Sequence, residues 1–200
     1  MRRRNVSLVF IAALTGAAGA AVLQSTFAQG GGAANGVDAA RYSPGGELIF
    51  PADADRWVAL GAGIGSDYSE EPFDPQNPGA IGVVQMEPAA YEHFLATGRY
   101  ADGTMLLLTF YAVQQKPEPA LQGFVQGDVL QREIHVIDRQ RFPEEQRAFF
   151  LFPGSDVQQA AALPQGSRCV ECHTAHGDLD ATFIQFYPAL RQVHADGGAE

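Results

Sequence analysis

The chain has 200 residues, a formal net charge of −10, and 13 Phe, six Tyr and one Trp. So acidic a protein is a poor partner for nucleic acid or an anionic membrane surface, and its length suits one domain with an aromatic core. Its two cysteines are too few for a disulfide framework, so packing must hold the fold.

In chain order, Met1-Arg2-Arg3-Arg4 gives a basic start, Val6 to Leu23 an apolar run, and Ser25 to Ala28 a small-residue exit. These are the parts of a secretory signal, so residues 1–28 are expected to be cleaved near Ala28 and the chain to be periplasmic or otherwise exported. The competing reading is an uncleaved anchor, since 18 residues approach the lower limit for a spanning helix; the many Ala and Gly weaken it. Removal leaves 172 residues, with ten basic against 23 acidic side chains. The Gly-rich stretch 29–40 reads as a flexible linker, residues 41–192 as one domain, and 193–200 as a flexible tail.

Within that domain most segments are short strands. Trp57–Gly61, Ile81–Met86, Thr104–Val113 and Arg147–Phe152 are apolar runs bounded by Pro and Gly. Phe124–Ile137 reads as one bent strand or as two joined at Gly127. Along it Leu130, Ile134 and Val136 should share a face, with Glu133 and His135 on the other. One helix should open at Glu87-Pro88, bury Tyr91, Phe94 and Leu95, and stop at Gly98. A second should carry Ser167–His176. A third should start at Asp178 or Asp180 and align Phe183, Phe186 and Tyr187 before Pro188 ends or restarts it. The fold class is therefore mainly β (α+β): an antiparallel sheet, a few short helices, and a C-terminal helix bearing the motif considered next.

Cys169-Val170-Glu171-Cys172-His173 has the C-x-x-C-H spacing of a c-type haem attachment site. On a helix Cys169, Cys172 and His173 share a face, so two thiols can bond one porphyrin while the imidazole meets its iron. A thioredoxin-type disulfide would need a βαβ context that is missing, and a structural zinc would need four well-spaced ligands. The reading is one covalent haem c per chain, held by Cys169, Cys172 and His173, with His173 the metal ligand. Arg168, beside the motif, is the first candidate for a haem propionate. Only 27 residues follow His173, none of them Met, which excludes a carrier with a downstream Met ligand. Met86 and Met105 fit better as core residues. The long amphipathic helices of a four-helix bundle are absent.

The stretch Arg168–Gly177, with Asp180, Phe183 and Gln185-Phe186-Tyr187-Pro188, resembles the cytochrome P-460 and cytochrome c′-beta family. Gly45–Pro51, Arg56-Trp57, Ala89–Glu92, Gly98, Asp102-Gly103-Thr104, Asp138 and Arg141-Phe142-Pro143 fit it in order, so the resemblance spans about residues 41–192. It implies a mainly antiparallel β fold, often a homodimer, with one c-type haem whose proximal ligand is His173. Some members oxidise hydroxylamine and others bind nitric oxide or carbon monoxide. The oxidising members join a lysine to the porphyrin, expected on the strand after Asp-Gly-Thr. Here that strand reads Met105-Leu106-Leu107-Leu108-Thr109-Phe110-Tyr111, and the chain's lysine, Lys116, comes later beside Pro117.

Three functions follow. The first is a haem protein with an open or aromatic-lined distal site that binds a small gas or nitrogen-oxide ligand such as nitric oxide. Phe110, Phe150 and Phe152 are its candidate wall residues. The second is a P-460-type oxidoreductase acting on hydroxylamine or another small nitrogen compound. The third is a six-coordinate electron carrier with His93 or His135 as second ligand and a soluble redox partner. His176 could donate a hydrogen bond at the haem edge. Asp180, Gln185 and Tyr187 could order the proximal side.

Overall fold

The computed structural model describes residues 37, 40–65, 72–115 and 123–197, all within the unit Gly31–Glu200. The expected signal segment and Lys116 lie outside the described residues.

Among the described residues there are seven strands: β1 (Leu48–Ile49), β2 (Val58–Ile64), β3 (Ala80–Met86), β4 (Thr104–Gln115), β5 (Phe124–Ile137), β6 (Arg147–Pro153) and β7 (Gln159–Ala160). Strands β2 to β6 form an antiparallel meander in chain order, and β1 pairs with β7 in a small separate ladder. The helices are α1 (Pro88–Thr97), α2 (Arg168–His176) and α3 (Pro188–Gly197). The mainly antiparallel fold with short helices is thus present. Among the described residues no helix is long and apolar enough to cross a membrane.

Strand alternation divides the sheet into two faces. On one, Met105, Leu107, Ile134, Val136, Phe150 and Phe152 pack with Leu48 and Trp57 into a core. Tyr42, Phe50, Phe142 and Val157 close it over. Arg132 belongs to this side: its guanidinium lies 3.9 Å from the Phe50 ring centre and donates to the carbonyls of Gly154 and Val157. On the other face, two rows of side chains stand in register across the strands. One is Met86–Leu106–His135–Phe149 and the other Val84–Leu108–Glu133–Leu151. The inner part of this face packs with Phe94, Tyr100, Ile184 and Leu190 into a second core. Met86 and Met105 are both core residues, one in each cluster.

Helix α1 starts as its sequence dictates. The Glu87 carboxylate accepts hydrogen bonds from the amides of Ala89 and Ala90, and Pro88 occupies the first turn. Gly98 ends it at φ 68°, a left-handed conformation that glycine adopts without strain. Its buried stripe is Ala90 and Phe94 with Tyr91 partly covered, whereas Leu95 is exposed. Strand β5 is one strand, not two. Its pairing with β4 slips where Phe110 faces Gln131 and Tyr111 faces Val129, so Leu130 is an unpaired bulge residue. Leu130 is therefore exposed and does not join Ile134 and Val136.

The expected third helix is replaced by two short 3-10 turns, Leu179–Ala181 and Ile184–Phe186. Asp180 and Ala181 take positive φ and interrupt any helix there, so Pro188 opens α3 rather than ending an earlier one. At the ends, Val37 in the stretch read as linker is fully buried in the second core. Helix α3 runs to Gly197, and Val193 packs against that core.

Candidate haem site

The motif lies on α2, which opens at Ser167 and faces the sheet side that carries Leu106, Leu108, Glu133, His135 and Phe149. Cys169 and His173 contribute to a pocket closed by Val84, Leu106, Leu108, Glu133, His135, Phe149, Phe183 and Tyr187. Cys169 and Cys172 are free thiols of intermediate exposure. Burial pushes the Cys169 thiol up, and the nearby Glu133 and Cys172 add to that.

His173 is held by a backbone carbonyl. Its Nδ1 lies 2.8 Å from the oxygen of Ala181; a carbonyl only accepts, so Nδ1 carries the proton. That leaves Nε2 as the unprotonated nitrogen, the form that binds a metal. Burial pushes the imidazole's pKa down, with the hydrogen bond to Ala181 opposing it. The ring therefore stays neutral at neutral pH, as ligation needs. Its ring centre is 4.7 Å from that of Phe149 and 4.6 Å from that of Phe183.

Gly177 makes this contact possible. A Cβ there would collide with the carbonyl oxygen of His173 and lie 2.8 Å from the Ala181 Cα. Both are backbone atoms that cannot swing aside. The end of α2 can approach the Ala181 turn this closely only because residue 177 has no side chain.

The residues fit a c-type haem. Two uncommitted thiols and an imidazole sit on one turn of helix, one imidazole nitrogen is oriented by the backbone, and the adjoining walls are largely apolar. Cys169, Cys172 and His173 would hold the group.

The other expected site residues divide. His135 is brought to the pocket wall, stacked on Phe149 at 4.2 Å and edge-on to His173 at 5.7 Å between ring centres. Its Nε2 is buried without a hydrogen-bond partner, and burial, His173 and Arg147 together push its pKa well down. His93, on α1, does not line the pocket. Of the expected wall residues, Phe150 borders the pocket but belongs to the opposite core, while Phe110 and Phe152 do not line it. Alternation assigns that role to Phe149. Arg168 is exposed at the first turn of α2 and lines neither cavity. Arg147, which the sequence reading passed over, is closer in effect: its charge acts on both His135 and His173. It also lines an adjoining cavity of ≈ 260 Å³ with Phe149, Gln165 and Thr174. Its signal was its place two residues before Phe149 on the same strand. Asp180 pairs with Arg139. Gln185 donates to the His176 carbonyl, and Tyr187 lines the pocket. His176 is exposed at the end of α2.

An antiparallel sheet with a C-x-x-C-H helix across one face is an arrangement that suits a haem protein. The chain belongs to the Cytochrome P460 family, whose pattern it matches over residues 56–184. No curated protein matches it.

Proposed function

We propose that this chain is an exported mono-haem cytochrome whose haem, held by Cys169, Cys172 and His173, binds a small neutral ligand such as nitric oxide. The observation that carries this reading is the β4 wall. The side chains of β4 that line the pocket are Leu106 and Leu108, so the strand that should bring a lysine to the porphyrin offers only methyl groups. Cys169, Cys172 and His173 would hold the haem, and its iron would supply the ligand-binding chemistry. Val84, Leu106 and Leu108 make the surroundings favour a neutral diatomic over an anion.

Hydroxylamine oxidation has one supporting observation. Glu133 places a carboxyl in the same pocket, hydrogen-bonded by Gln131 at 2.6 Å. Burial pushes its pKa up, as suits a group that takes and returns a proton. The six-coordinate carrier rests on the unpartnered Nε2 of His135. A homodimer follows from the family resemblance and a soluble redox partner from the carrier reading; both belong to the same proposal.

Absorption spectroscopy of the purified haem protein separates the three. A high-spin spectrum that changes on adding nitric oxide supports ligand binding. A strongly red-shifted reduced Soret band would mean a cross-linked haem and would sink it. A low-spin spectrum indifferent to nitric oxide would point to the carrier.

A further inference from the structure

We propose that Arg139 and Asp180 form a positioning pair for the His173 imidazole, acting through the backbone of Asp180 and Ala181. This rests on the reading of His173 as haem ligand. The starting observation is a pair of adjacent non-glycine residues in the left-handed region, Asp180 at φ 51° and Ala181 at φ 58°. Side chains rarely accept that conformation, and alanine has no polar group to compensate for it locally. Such backbone persists only where its surroundings impose it. Here it points the Ala181 carbonyl at Nδ1 of His173, 2.8 Å away.

Two sets of contacts impose it. Arg139 places Nη2 within 3.2 and 3.1 Å of the two carboxylate oxygens of Asp180. Arg139 is itself fixed by Asp102, whose Oδ1 accepts from both its Nη1 and its backbone amide at 3.0 Å. From the other side, the Thr182 hydroxyl donates to the Leu179 carbonyl at 2.9 Å, and the buried Tyr100 hydroxyl reaches Thr182 at 3.0 Å. The Arg139 side chain is 38% exposed, so as an isolated ion pair it would contribute little stability. Its consequence lies in direction: it ties the rim of the sheet to the one carbonyl that orients the proximal imidazole.

A carbonyl accepting from Nδ1–H makes the imidazole a stronger electron donor. Loosening the turn lengthens that bond and weakens the ligand. The test uses the full chain carrying its haem, as wild type and as Arg139→Gln, Arg139→Lys, Asp180→Asn and Asp180→Gly. The readouts are the iron–histidine stretching band of the ferrous protein, the midpoint potential and the melting temperature. Arg139→Gln and Asp180→Asn are expected to lower the stretching frequency and raise the potential, with partial recovery in Arg139→Lys and in Asp180→Gly. Asp180→Gly separates backbone from charge, because glycine keeps the left-handed turn without strain but offers no carboxylate. If all variants melt earlier while band and potential stay at wild-type values, the pair is only a staple and the inference fails. If Arg139→Gln does not fold, the two Asp180 variants decide the matter by the same readouts. A wild-type protein without covalent haem would overturn the proposed function, and this inference with it; haem bound but unresponsive to the variants would overturn this inference alone.

Discussion

Gly177 and Glu133 show how single positions shape the pocket in opposite ways, one by lacking a side chain and one by burying a charge. Gly177→Ala drives a methyl group into backbone on two sides. Overpacking of this kind costs roughly 1–3 kcal/mol, and at this size each kcal/mol lowers the melting temperature by about 2–4 °C. The variant should melt earlier and also carry less haem per chain, because the Ala181 carbonyl can no longer reach His173. An unchanged haem content would show that this contact is dispensable. For Glu133 the sign follows from the cause. Burial raises the carboxyl's pKa, and the Gln131 hydrogen bond only partly opposes this. A folded pKa above the unfolded one means the contribution is fully present below about pH 4 and is lost as pH rises through the folded value. Glu133→Gln, which cannot ionise, should therefore gain stability relative to wild type as pH rises from about 4 toward 7. Urea melts across that range check it, and a variant that instead loses ground would mean the carboxylate has a cationic partner.

At the scale of the element, alternation along β6 sorts adjacent phenylalanines into different roles. Phe150 is 1% exposed in the core of one face, while Phe149 lines the pocket on the other. Phe150→Ala should cost about 3–5 kcal/mol in urea unfolding, and Phe149→Ala clearly less, because a pocket already adjoins its ring. Equal losses would contradict this division of the faces. The same strand shows what the sequence makes legible. The run Arg147–Phe152 announces a strand, yet with an aromatic at 149, 150 and 152 both faces look apolar, and period alone does not say which one meets the haem. Hence the period points to Phe150 and Phe152 as readily as to Phe149, and only the fold selects Phe149. Leu130 leaves the face that alternation assigns it for another reason: a bulge shifts the alternation by one residue, and nothing in Val129-Leu130-Gln131 marks it. Helix α1, by contrast, is readable at both ends, since Glu87-Pro88 starts it and Gly98 stops it through local chemistry alone. The turn at Asp180-Ala181 was not readable, because long-range contacts to Arg139 and Tyr100 impose it against local preference.

For the whole molecule, the motif near one end and the apolar run near the other enter a single proposal: export first, haem attachment afterwards. The fold gives that order a chemical reason. Thioether formation proceeds through the thiolate, and in the folded chain burial and the neighbouring Glu133 both hold the Cys169 thiol up. A chain that has not yet packed α2 against the sheet leaves that thiol in water, where burial does not raise its pKa. A chain lacking residues 1–28, produced in the cytoplasm, should fold around its strands but carry no covalent haem, while the full chain exported from the same cells should carry one. Intact mass measures both, as the bare polypeptide in the first case and the polypeptide beginning at Gln29 plus one haem in the second. Covalent haem on the truncated cytoplasmic chain would show that attachment needs neither export nor an unpacked α2, and the link between the two ends would be lost.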